Sequence, residues 1–213
     1  PPRSIVEQFS DWQTVRDFGM APLLAVHDAD YLAFLERAHR DWLAAGRNGD
    51  AIGYTFPIRR RRSLSFGRID ADLGAYSYDA GTPIAAGTWE SAYWSAQSAL
   101  TGLDHLASSG EAHAFALCRP PGHHAGRDYM GGYCYLNNAA IVAREAHQRG
   151  LGPVAILDID YHHGNGTQDI FYEDPDIFFA SIHADPRTDY PFYWGHADEI
   201  GEGAGKGSTL NLP

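Results

Sequence analysis

Cysteine is nearly absent from the 213 residues: Cys118 and Cys134 are the only two, and neither has a partner at CxxC spacing. That argues against a disulfide scaffold or a cysteine-built zinc site, and it fits reduced thiols and a cytoplasmic setting. Basic residues are also scarce, 16 Lys plus Arg against 27 Asp plus Glu, for a net charge of −11. A sequence-independent grip on nucleic acid needs the opposite sign, so no nucleic-acid partner is expected and cationic ligands fit better. No apolar run reaches the ~18 residues of a membrane span, and no charged start with an apolar signal core is present, so no membrane partner is expected either. The composition is 44% hydrophobic, enough for one sizeable core and marginal for two. A single domain over residues 1–213 is therefore expected. With Pro1-Pro2 at one end and Asn211-Leu212-Pro213 at the other, the sequence reads as a chain incomplete at both ends.

Against these absences stands one dense stretch, VAILDIDYHHGNGTQ at residues 154–168. Its apolar start, Val154 to Leu157, predicts a strand buried on both faces, and its end carries Asp158, Asp160, His162 and His163. Strand side chains alternate, so Asp158, Asp160 and His162 are expected on one face, with Ile159 and Tyr161 on the other. Ligands in open parallel sheets collect outside the carboxyl ends of strands, where Gly164 and Gly166 let the chain turn. A single acid there would be an ordinary core aspartate; two acids and two histidines within six residues point to a site.

A second chemical stretch, RPPGHHAGRDYMGGYCYLNN, follows AHAFALC at residues 112–118, which reads as a short buried strand. It presents His123-His124 behind Pro120, Pro121 and Gly122. Helical spacing predicts helices over 28–45, from Thr88 as N-cap to Gly110, and over 136–149, the last connecting the two strands as a crossover. Residues 169–172 read as one helical turn and 176–183 as a third buried strand. Residues 49–87 read as a long loop with little regular structure, holding a basic run at 59–62 that is most simply solvated. Asp70, Asp72 and Asp79 in that region are weak candidates for the mouth of a cation-preferring site, because aspartate is also an ordinary turn residue. His27 and His39 read as satisfied or solvated histidines. Strands separated by helical segments predict an α/β fold, a mainly parallel sheet flanked by helices. GEGAGKGS in the tail lacks phosphate-loop spacing.

Asp160 and His162 offer one hard oxygen and one borderline nitrogen to a divalent metal, with zinc the first candidate. A third ligand is needed, and none is apparent. Either His123 or His124 could move a proton at a metal-activated water, and Asp158 could orient one of them.

The linked motifs RPPGHHA, GGYCYLNN, LDIDYHHGNGTQ and SIHADP resemble the histone deacetylase superfamily over roughly residues 28–213. The resemblance implies the three-layer arginase-deacetylase fold and a zinc-dependent hydrolase of linear amides. It makes Asp160 and His162 zinc ligands, with Fe2+ or Co2+ as substitutes, His124 the general base and acid, and His123 its electrostatic partner bonded to Asp158. Gly132 and Tyr133 line a narrow substrate channel opposite Tyr190. Asp158, Asp160, Ser181 and the backbone carbonyls of His162 and Ile182 match a potassium site, with a second such site around Phe171 and Ile177. Arginases place a carboxylate where this sequence has Gly164, so one catalytic metal is implied. Asn165 stands where many nuclear deacetylases place an acid facing the second histidine, which resembles the class II and bacterial branch. Tyr133 and the run DPRTDYPFYWGHADEIGEGAGKG look most like acetylpolyamine amidohydrolases, so a small cationic acetylated amine is the implied substrate.

The family's third zinc ligand and its oxyanion-stabilising tyrosine are expected beyond residue 213. A homodimer closed over the site by the loop around residues 59–79 is a further expectation from the resemblance. Two alternatives stay open: an acetyl-lysine protein deacetylase with the same centre, and, more remotely, a non-catalytic protein that binds acetylated amines.

Overall fold

The computed structural model describes residues 12–57 and 67–213. The basic run at 59–62 lies outside them. The chain begins with α1 (Ala21–Leu24) and α2 (Ala29–Ala44), where Asp28 sits at the N-cap position. The helix places Tyr31, Leu32, Phe34, Leu35, Ala38 and Trp42 in the core. Each large side chain fully buried there stabilises the fold by ~1.5–3 kcal/mol relative to exposure.

The region expected to be irregular contains a helix, α3 (Ile69–Ala75). Ile69 and Leu73 fall one turn apart and are both buried, so four residues suffice to pin one face. Asp72 pairs with Arg37 of α2, and Asp70 with Arg47 and Arg68. Both acids are therefore taken up in ion pairs with arginines, which corrects their candidacy as free carboxylates at a site mouth.

Helix α4 (Thr88–Ser109) ends on Gly110 at φ 76°, a left-handed cap that glycine adopts without strain. At its start Gly87, not Thr88, is the cap residue; Thr88 Oγ1 instead accepts the Ala85 N–H at 2.8 Å. Helix α5 (Asn138–Gln148) is capped by Asn137, whose side chain accepts the Ala140 N–H at 3.0 Å. α4 and α5 pack together, and α5 packs on the sheet.

The sheet is three parallel strands in the order β1 (Val154–Asp158), β2 (Ile177–Ile182), β3 (Thr209–Leu212). Helix α6 (Asn165–Phe171) joins β1 to β2 and starts four residues earlier than the single turn expected at 169. Register pairs Val154 with Ile177, Asp158 with Ser181 and Ser181 with Asn211. The inner face thus runs from an apolar row at the strand starts to a polar row, Asp158, Ser181 and Asn211, at their carboxyl ends.

Among the described residues the face bearing Leu157, Ile182 and Leu212 is exposed, Leu157 by 65%, and the helical layer lies on the other face. One expectation changes here. The AHAFALC segment forms no strand and is exposed, Phe115 by 77%. A strand requires a ladder partner, and the described residues give this segment none. The parallel α/β core with flanking helices otherwise follows the sequence.

Candidate active site

β1 ends at Asp158, so strand alternation does not carry on to Asp160 and His162. Two successive side-chain turns replace it: Asp158 Oδ1 accepts the Asp160 N–H at 3.0 Å, and Asp160 Oδ1 accepts the His162 N–H at 2.8 Å. The acids still converge, by a different local geometry. Asp158 faces His123, Nδ1 to Oδ2 at 2.9 Å, and Asp160 Oδ1 lies 4.0 Å from His123 Nε2. Burial alone would raise the Asp158 carboxyl, but the hydrogen bond and charge of His123 and the Asp160 N–H outweigh it and hold it below the ordinary carboxylate range.

His124 stacks beside His123 with ring centroids 4.0 Å apart, and its Nδ1 lies 2.7 Å from Asn165 Oδ1 at the start of α6. An amide oxygen only accepts, so Nδ1 carries the proton and Nε2 keeps its lone pair. Burial, reinforced by the neighbouring His123 and by His162, pushes the His124 pKa down to about 4. The ring is neutral at pH 7 and able to accept a proton at Nε2.

Two glycines make this packing possible. A Cβ on Gly164 would stand 2.3 Å from Asp158 Oδ2, and one on Gly132 would stand 2.2 Å from His124 Cδ2. Gly132 and Tyr133 adopt left-handed backbone, φ 54° and 64°. The Tyr133 ring is exposed, and Tyr190 meets His124 and His162 edge-on at 5.0 and 5.8 Å between centroids. The structure thus gathers Gly132, Tyr190, His123, His124, Asp158, Asn165, Asp160 and His162 at one rim.

Asp160 Oδ1 and His162 Nδ1 are 3.7 Å apart and half-exposed, a span that one ion with ligands at ~2.0–2.2 Å can bridge. Among the described residues no group of three His, Cys, Asp or Glu side chains could hold a metal ion. The donor chemistry of this pair fits a metal, and Asp160 and His162 could supply two ligands to one. Cys134 does not compete: burial pushes its thiol up to about 12, which leaves it unreactive, and both cysteines are free.

His163 is not part of this rim. It is buried with Nε2 at 2.9 Å from Gln168 Oε1, inside a polar network with Asn211, Glu199 and His183. Phe171 and Ile177 lie in the apolar core, and the Phe171 carbonyl accepts the Asp174 N–H at 3.0 Å. His27 is buried and only half satisfied: its Nε2 accepts the Asn137 N–H at 2.9 Å, while its Nδ1 has no hydrogen-bond partner among the described residues. Sequence reasoning missed Tyr78, which stacks on Tyr190 and donates weakly to Asn165 Oδ1 at 3.4 Å. It sits in an aperiodic stretch, where no spacing marks it.

A parallel sheet whose strand ends bring an Asp-His pair against a second, amide-held histidine defines a recognisable class, and the chain belongs to the histone deacetylase domain family, matched over residues 3–213. It is 54% identical over 198 residues to acetylpolyamine amidohydrolase 2 of Pseudomonas aeruginosa, covering 93% of this chain and 57% of that protein. Acetylpolyamine amidohydrolase 1 of the same organism is 56% identical over 202 residues, with 93% and 58% covered. The crystal structure of an acetylpolyamine aminohydrolase from Burkholderia pseudomallei superposes with a TM-score of 0.87 at 45% identity, covering 94% of this chain and 58% of that one. The chain therefore spans a little under three-fifths of the length of the relatives it matches.

Proposed function

We propose that the whole protein is a metal-dependent amidohydrolase that removes the acetyl group from N-acetylated polyamines, releasing acetate and free amine. The single observation that carries this reading is the pairing of His124 with Asn165 beside the His123–Asp158 pair, directly against Asp160 and His162. The similarity to acetylpolyamine amidohydrolases over nearly the whole chain supports the substrate class.

A divalent ion held in part by Asp160 and His162 would polarise the acetamide carbonyl and acidify a water molecule. Zinc suits one carboxylate oxygen and one imidazole nitrogen, with Fe2+ or Co2+ as substitutes. His124, neutral and with Nε2 unprotonated, takes the water's proton and returns it to the departing amine. Asn165 fixes the tautomer that makes this possible. His123, held by Asp158, places a hydrogen-bonded polar group beside the reaction without competing for that proton. Gly132, Tyr133 and Tyr190 wall a slender channel, and the acidic surface favours a cationic tail.

For a structural potassium ion, Asp158, Asp160, Ser181 and the carbonyls of His162 and Ile182 are the proposed ligands. One feature supports it. His183 Nε2 faces the Gly195 carbonyl at 2.9 Å and so carries the proton, leaving Nδ1 to accept from Ser181 Oγ at 2.8 Å. The Ser181 hydroxyl then donates to His183 and keeps its lone pairs for a cation, next to its register partner Asp158. The same reading takes residues 1–213 as part of one deacetylase domain, places the protein in the cytoplasm, and allows a homodimer. No helix among the described residues is long and apolar enough to cross a membrane.

The test is acetate release by the whole protein from acetylputrescine. The reading expects release that a chelator abolishes and added zinc restores; no release from any acetylated amine overturns it.

A further inference from the structure

All three channel residues read from the sequence, Gly132, Tyr133 and Tyr190, converge on one carboxylate that lies far from them in sequence. Asp79 Oδ2 accepts the Gly132 N–H at 2.7 Å and the Tyr190 hydroxyl at 3.0 Å. Asp79 Oδ1 accepts the Gly81 N–H at 2.9 Å and the Thr82 hydroxyl at 2.8 Å. Thr82, itself buried, then accepts the Tyr133 N–H at 3.0 Å. One side chain therefore holds both backbone N–H groups of the left-handed Gly132-Tyr133 pair, one directly and one through Thr82, and ties the opposite wall to them.

We infer that Asp79 is a positioning residue that sets the shape of the substrate channel and the seat of His124, rather than a docking group for the substrate's positive charge. Three observations lead there. Both of its oxygens already face the protein's own donors: Oδ1 accepts two hydrogen bonds, and Oδ2 accepts the Gly132 N–H and faces the Tyr190 hydroxyl, which also bonds the Tyr78 hydroxyl. Tyr133 sits at φ 64°, a conformation that a bulky residue holds only when its surroundings impose it, and the Thr82–Asp79 bonds are what impose it here. Gly132 is packed so tightly on His124 that an added methyl would overlap the imidazole, so a shift of the 132–133 backbone moves directly into that ring. Charge-assisted bonds from an ionised carboxylate suit this use, being stronger than those of a neutral acceptor. The consequence for catalysis rests on the deacetylase reading; the consequence for the backbone does not.

Asp79→Asn keeps the size of the side chain but leaves one oxygen to serve four donors and adds an N–H where acceptors are needed. Site-resolved amide hydrogen exchange of the whole protein is the first readout. Exchange at Gly132 and Tyr133 is expected to quicken ~10-fold or more, with the α5 amides unchanged. If α5 also opens, Thr82→Val decides: exchange should then quicken at Tyr133 and not in α5. The second readout is a kcat and KM comparison on acetylputrescine and on a neutral N-alkylacetamide of the same length. Positioning predicts that kcat falls ~10-fold or more on both substrates, with KM within ~3-fold. Unchanged exchange at both amides, or a KM rise confined to the cationic substrate, overturns the inference. Should the wild-type protein release no acetate, the deacetylase reading falls, and the exchange measurement still decides the role of Asp79.

Discussion

His124 Nδ1 lies 2.7 Å from Asn165 Oδ1, and this contact decides which imidazole nitrogen is free. The partner is an amide, so the ring is oriented without being given a charge to attract a second proton. His123 is held differently, by the carboxylate of Asp158 at 2.9 Å. Two adjacent histidines are thus given unlike partners, which separates their roles.

Asn165→Leu removes the acceptor and frees the tautomer. Turnover should fall ~10–100-fold with little change in KM, while Asn165→Asp, which keeps an acceptor, should retain more activity than Asn165→Leu. Steady-state kinetics on both variants checks this ordering.

His124→Ala takes away the proposed proton carrier itself. We expect at least ~100-fold loss of turnover with metal content unchanged by elemental analysis. Near-normal turnover would remove His124 from the mechanism.

Gly164→Ala places a methyl 2.3 Å from Asp158 Oδ2 and close to His123 Nδ1. The Asp-His pair must part to admit it, so activity should drop ~10-fold or more, whereas Gly87→Ala, with open space around its added methyl, should leave activity within ~2-fold.

How far the sequence carried differs from place to place. Asp160, His162, His123 and His124 were legible because they crowd into two short runs next to glycines, one run at the end of β1. The helices were legible where apolar spacing was strict, as in α2. α3 was hidden because Ile69 and Leu73 are its only large apolar contacts, too few to form a visible period. The segment at 112–118 misled because apolar residues signal the capacity for a strand, while the strand itself depends on a partner supplied from elsewhere. Asp79 was legible only as a weak candidate for a site mouth and Tyr78 not at all; their importance is a matter of long-range contacts, Asp79 meeting Tyr190 across 111 positions.

A pH effect on stability is expected at His27. Burial depresses its pKa from 6.5 to about 4, and its Nε2 must stay unprotonated to accept the Asn137 N–H. The unfolded chain takes up a proton that the folded chain refuses, so this contribution is full above pH ~6.5 and declines as pH falls from there toward ~4, by ~3 kcal/mol in all. His27→Gln, with an amide oxygen able to accept the same N–H, should flatten that decline. Urea midpoints of both proteins at pH 7.5 and pH 5 measure it, and equal pH dependence would contradict it.

The central claim, a metal-dependent deacetylase of acetylated polyamines, is tested most directly by one parallel assay. Acetate release by the zinc-loaded whole protein is followed from acetylputrescine and from an acetyl-lysine peptide, each with and without chelator. The account predicts chelator-sensitive release that favours acetylputrescine. Release favouring the peptide would keep the mechanism and replace the substrate, and release that persists undiminished in chelator would contradict the account at its metal centre.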